Sequence, residues 1–120
     1  MTGFLHSLLS RGLGTADPRP RQIDSTLKNR AAFRKLTDVE LRQTFVSAKE
    51  ITVGVAVAAV AAERVLGLEL FPEQIRGALA LVDGRIAEMQ TGEGKTLAAV
   101  PAVAWLARNG KGFNVMKLFV

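Results

Sequence analysis

The 120-residue sequence predicts an α/β fold that is mostly helical, with at most two strands. Three observations predict it. Between Ile23 and Val82 apolar residues recur at helical spacing and are punctuated by capping signals and by proline or glycine. Residues 85–89 and 113–116 are the strand candidates. Between the first of these and a run of small apolar residues stands QTGEGKT, residues 90–96, so strand, glycine loop and helix follow in order.

The elements read as follows along the chain. Phe4, Leu5, Leu8, Leu9 and Leu13 fall at the spacing of a short amphipathic helix suited to a membrane surface or a partner. Residues 15–21 contain Pro18 and Pro20 and are expected to be a linker, because proline removes a donor and restricts the residue before it. A basic helix is expected over 23–35, with Ile23, Leu27 and Ala31 on one face. Thr37 followed by Glu40 has the form of a capping box and predicts a helix over 38–46. Ser47 followed by Glu50 repeats that form and predicts the start of the next helix. In 51–62 the alternation of Ile51, Val53, Val55 and Val57 suits a strand. The alanine content and the continuation to Leu66 favour a buried helix that ends at Gly67. Pro72 opens a helix over about 72–82 with Ile75, Leu79 and Val82 inward, and Asp83-Gly84 is a turn. A last helix runs from about Lys95, is expected to kink or break at Pro101, and ends at Asn109-Gly110.

Composition narrows the chemistry. Hydrophobic residues make up 48% of the chain and mean hydropathy is +0.19, which is not the profile of a disordered segment. With no cysteine there are no disulfides or thiolate metal sites, and His6 is the single histidine, which argues against a histidine metal cluster or a Ser-His-Asp triad. The longest apolar run, 51–62, is too short to span a bilayer, and the first residues do not read as a secretory signal. Residues 1–35 hold seven Lys/Arg against Asp17 and Asp24, so the formal charge of +5 is a property of this end of the chain. An anionic membrane surface or nucleic acid is the usual partner of such an arm, and a solvated tail is the bland alternative. Residues 1–35 are therefore expected to be a basic, partly amphipathic arm and linker, and 36–120 the domain.

The loop carries the chemistry. Gly92 and Gly94 let the backbone turn its N–H groups inward with no Cβ in the way of a phosphate. Lys95 adds a mobile cation, Thr96 a hydroxyl able to sit on Mg²⁺, and the following helix its positive N-terminal dipole. The strict pattern G-x-x-x-x-G-K-[ST] fails, because Met89 stands where its first glycine would be.

Residues 86–97, IAEMQTGEGKTL, closely resemble the Walker A region of the SecA family, the motor ATPases of bacterial preprotein translocation. Phe71-Pro72-Glu73-Gln74 is similar to that family's F-x-x-Q segment, Arg64-Val65-Leu66-Gly67 to the helix end before it, and Leu36-Thr37-Asp38-Val39-Glu40-Leu41 to its L-(S/T)-D-x-E-L. Pro101-Ala102 and Gly110-Lys111-Gly112 also fit. The resemblance covers about residues 33–112 and implies a partial, helicase-like P-loop nucleotide-binding domain. It implies ATP and Mg²⁺ as cofactors, with Gln74 orienting adenine. Thr91, Gly92, Glu93, Gly94, Lys95 and Thr96 would then hold the phosphates, with Thr96 on the metal. Glu93 is read as part of the loop's charge and fit, not as a base. Expected partners are the protein-conducting channel, unfolded preproteins and, through residues 1–35, an anionic membrane; nucleic acid is not expected. The implied place is the cytoplasm, peripherally on the inner face of the cytoplasmic membrane.

Two departures stand out: 51–62 is richer in alanine than the matching family helix, and 113–120 do not follow the family's V-N-D-Y-L-A-type continuation. From Leu97 to Val120 there is no Asp or Glu. Hydrolysis by such a loop needs a carboxylate for Mg²⁺ and a group that orients water. The chain is thus expected to be the N-terminal piece of a translocation ATPase, cut just after its phosphate loop and not hydrolytic alone, with no catalytic residue of its own. Two alternatives are a fragment of a DEAD-box-type RNA helicase, which also pairs a glutamine with a TGxGKT loop, and a non-catalytic remnant that binds a membrane or partner.

Overall fold

Helix α3 (Ile51–Leu66) is the element on which the others are assembled. Valine and alanine fill nearly its whole circumference, and a helix apolar all round must be buried. Val55, Ala56, Val57, Ala59 and Val60 are at most 3% exposed. In the computed structural model, which describes residues 19–84 and 95–110, α3 packs against α1 (Arg19–Phe33), α2 (Asp38–Ser47), α4 (Pro72–Val82) and α5 (Lys95–Arg108). Helix α4 also packs on α5 and on α1. The described residues are thus helical with turns between, and the two strand expectations, 85–89 and 113–116, lie outside them, as does the expected helix over 4–13.

One core cluster joins four helices: Ile23 of α1, Val55 and Ala59 of α3, Ile75, Ala78 and Leu79 of α4, and Ala102 of α5, with Leu70 from the α3–α4 connection. A second cluster, Leu41, Val57 and Val60, seats α2 on the opposite side of α3. Close approach of α5 depends on Gly54, where an added Cβ would lie 2.0 Å from Trp105 Cε3. Trp105 in turn meets Phe45 edge-on at 6.4 Å between ring centroids.

Several boundaries follow the local chemistry read from sequence. Thr37 Oγ1 accepts from the Glu40 N–H at 3.2 Å and Glu40 Oε1 from the Thr37 N–H at 3.5 Å, completing the capping box of α2. Helix α3 ends at Gly67, whose φ of 70° is the left-handed conformation that glycine adopts without strain. Pro72 opens α4, and Gly84 and Gly110, both at positive φ, close the turns after α4 and α5.

Four expectations are corrected. Helix α1 starts at Arg19, inside the stretch read as a linker, because Pro20 falls in a first turn where its missing N–H costs nothing. Its inward face is Ile23, Thr26, Leu27 and Arg30, so Ile23 and Leu27 pack on the core as expected, while Ala31 is exposed and Arg30 takes the inward position beside it. The second capping box does not form: Ser47 Oγ donates back to Gln43 O at 2.9 Å, and α3 starts at Ile51 without a side-chain cap from Glu50. Helix α5 continues past Pro101, which is fully buried, so the break expected there as the alternative to a kink does not occur.

Candidate functional site

Two pieces of the expected site fall on described backbone. Lys95 and Thr96 form the opening of α5, whose first turn holds no acidic residue. The N-terminal dipole of α5 is therefore not offset within that turn, which favours an anion there. Thr91, Gly92, Glu93 and Gly94 lie outside the described residues. Gln74 sits in the first turn of α4, after Phe71 and Pro72, and is 3% exposed.

The local sequence explains how Gln74 is held. Phe71 lacks a polar side chain and cannot cap α4 itself, so only the reciprocal half of a capping box exists. Gln74 Oε1 accepts the Phe71 N–H at 2.7 Å. That bond engages one of the amide's hydrogen-bonding positions and fixes its plane. Ile75, the next residue, is fully buried in the core cluster on which Leu97, two residues after Lys95, also packs. Helices α4 and α5 are thereby tied through one core, which carries both Gln74 and the opening of the lysine helix.

Behind Gln74 is a charged clasp that the sequence did not reveal. Glu63, on the last turns of α3, has a side chain 10% exposed and pairs with Arg30 at 3.2 Å and Arg34 at 3.3 Å. Glu63 Oε1 also accepts the Leu70 N–H at 3.0 Å, while Arg30 Nη1 donates to the Leu70 carbonyl. Glu69 joins from the solvent side, 3.0 Å from Arg34. The hydrogen bond from Arg34 holds the Glu69 carboxyl below its ordinary range, and the same bond raises Arg34. Arg64 binds Asp38 at 2.7 Å and donates to the carbonyls of Arg34 and Leu36, tying the α1–α2 turn to the end of α3. A charged residue at helical spacing on a basic helix gives no sign of being buried, so only the i, i+7 relation of Ile23 and Arg30 hinted at it.

The family described as SecA DEAD-like domain matches residues 19–118, which spans α1, the turn at Gln74, the glycine loop and α5. The chain belongs to this family. A protein translocase subunit SecA of Clostridium novyi (strain NT) is 42% identical over 118 residues, covering 89% of this chain and 14% of the relative. The protein of the same description from Helicobacter hepaticus is 32% identical over 130 aligned residues, 94% of this chain and 15% of the relative. A protein translocase subunit SecA 2 of Chlorobium chlorochromatii is 47% identical over 68 residues, 57% of this chain and 10% of the relative. The chain thus spans a small part of the curated relatives it matches. No solved structure matches it. Membership brings a helicase-like P-loop fold and nucleotide binding in general terms. Among the described residues no helix is long and apolar enough to cross a membrane.

Proposed function

We propose that this chain is the ATP-binding portion of a translocation motor that couples ATP hydrolysis to preprotein transport across the bacterial cytoplasmic membrane. The observation that carries the reading is a family match over residues 19–118, a span that includes Gln74 and residues 90–96. In this reading the backbone amides of 92–96 cradle the β- and γ-phosphates, Lys95 neutralises them, and Thr91 and Glu93 shape the loop. Gln74 orients the adenine edge. The opening of α5, free of acidic residues in its first turn, fits an anion.

Mg²⁺, when bound, neutralises charge on the phosphates, and Thr96 is the residue of this chain that would hold it. The set is otherwise incomplete for hydrolysis, because residues 97–120 contain no carboxylate. Binding, not turnover, is the activity assigned to these residues. The channel and unfolded preproteins are the proposed partners of the motor, and residues 1–35 its contact with an anionic membrane. Within that arm Arg21, Lys28, Arg34 and Lys35 are exposed, while Ile23, Thr26 and Arg30 belong to the packed side of α1. The place of action is then the inner face of the cytoplasmic membrane.

Calorimetric titration with Mg·ATP tests the reading. The chain is expected to bind, and Lys95→Ala to abolish binding, because removing the cation leaves the phosphates with amide donors alone. Equal affinity in Lys95→Ala would show that residues 90–96 are not a phosphate site.

A further inference from the structure

We infer that Arg30 and Glu63 are positioning residues for base recognition by Gln74, an inference that rests on the nucleotide reading above. The peptide group between Leu70 and Phe71 is gripped from both sides. Its oxygen accepts from Arg30 Nη1, and its N–H donates to Gln74 Oε1 at 2.7 Å. No cis peptide bond occurs among the described residues. In a planar trans peptide the oxygen and the N–H point in opposite directions. Fixing the oxygen therefore fixes the N–H, and the N–H fixes the plane of the Gln74 amide. Glu63 secures the same residue on its other face, accepting the Leu70 N–H at 3.0 Å while holding Arg30 at 3.2 Å.

The clasp is rigid where it matters. Leu70 is 1% exposed and Arg30 7% exposed, so neither the peptide nor its cation can swing into solvent without opening the core. Stability alone is a poor reason for this arrangement. Apolar side chains of similar volume would hold α1 to α3 at least as well as a buried ion pair does, and Ile23, Val55 and Ala59 already do so. What the charges add is direction: two backbone groups of Leu70 are each given one partner, and the amide four residues later inherits the orientation. A recognition side chain is accurate only as far as the groups behind it are locked.

The test is competition binding of Mg·ATP, Mg·GTP and inorganic tripolyphosphate to the chain and to variants with unchanged circular dichroism. Arg30→Met/Glu63→Gln removes both charges, so neither is left buried without a partner. It is expected to lower the preference for ATP over GTP about tenfold, the worth of one well-aimed hydrogen bond, while tripolyphosphate binds as before. Glu63→Gln alone keeps the acceptor for Leu70 but loosens Arg30, and is expected to lose about threefold; it serves as the readout should the double variant not fold. Arg30→Lys, which keeps a cationic donor, is expected to restore most of the preference. Full ATP preference in the double variant, or in Glu63→Gln when the double variant is unfolded, would overturn the inference. So would equal losses for ATP, GTP and tripolyphosphate. A different failure would be specific to the nucleotide reading: no binding of any of the three by the unaltered chain.

Discussion

Helix α3 meets α5 at Gly54 near its start and, beyond the apolar packing of Ile23 on Val55 and Ala59, is clasped to α1 near its end; the Gly54 contact and the clasp are made of different materials. At the start, Gly54 presents no side chain and the Trp105 ring lies against the bare backbone, flanked by Phe45. At the end, Glu63 and Arg64 reach out to Arg30, Arg34 and Asp38 and to backbone carbonyls. The first contact works by shape and does not depend on salt or pH. The second works by charge and hydrogen bonds, and its strength falls from the buried Arg30–Glu63 pair to the exposed Glu69. The shape contact seats α5, which begins at Lys95, and the charged contact sets the turn that leads to Gln74, so each end supports one half of the proposed nucleotide site.

Breaking the charged end at its most buried member is expected to have the largest effect. Arg30→Ala leaves Glu63 buried without its main cation and should cost about 3–5 kcal/mol, read from urea unfolding. A cost below about 1 kcal/mol would place the pair with exposed ion pairs. At the shape end, Gly54→Ala forces Trp105 to move and should cost about 1–3 kcal/mol, with no dependence on salt. Gly54→Ala combined with Trp105→Leu should cost less than the two changes added together; simple additivity would mean that the ring moves aside freely.

A smaller effect is expected where the two materials meet. Arg108 lies 4.9 Å from the Trp105 ring centroid and 5.9 Å from that of Phe45, and donates to Val46 O at 2.8 Å and to Ala48 O. Arg108→Ala should cost about 1–2 kcal/mol, from the lost cation–π contact and two freed carbonyls at the end of α2, with a shift in tryptophan fluorescence. The smallest effect belongs to Glu69→Gln. The hydrogen bond from Arg34 holds the folded Glu69 carboxyl below the ordinary glutamate range, so its contribution is complete above that range and disappears as pH falls through the lowered one. Because its side chain is 63% exposed, solvent screens the pair. Glu69→Gln is expected to lower the melting temperature slightly at pH 7 and not at all at strongly acid pH; an equal loss at both would mean that packing, not charge, is involved.

Local chemistry was legible and long-range pairing was not. Thr37 and Glu40, Gly67, Pro72 and the start of α5 at Lys95 each declare a helix boundary through groups within a few residues of one another. Ser47 and Glu50 carry the same local pattern, yet the Ser47 hydroxyl turns back to Gln43 O at the end of α2 instead. Pattern alone does not choose between two acceptors. The inward face of α1 follows Ile23 and Leu27 but departs from the pattern at its end for a related reason: Ala31 is the apolar residue, but Glu63, 33 positions from Arg30, draws the arginine inward. Of the candidate site, Gln74 and the opening of α5 were named from sequence in the turn and helix where they are found. The clasp behind Gln74 depends on three separate segments meeting and left no local mark.

The most direct test of the account is amide-resolved NMR of the chain during addition of Mg·ATP. The backbone amides of residues 92–96 and the side-chain amide of Gln74 are expected to shift together with a single dissociation constant, and Lys95→Ala to remove both responses. If Gln74 stays unmoved while 92–96 respond, or if neither responds at saturating nucleotide, the two halves do not form one ATP site.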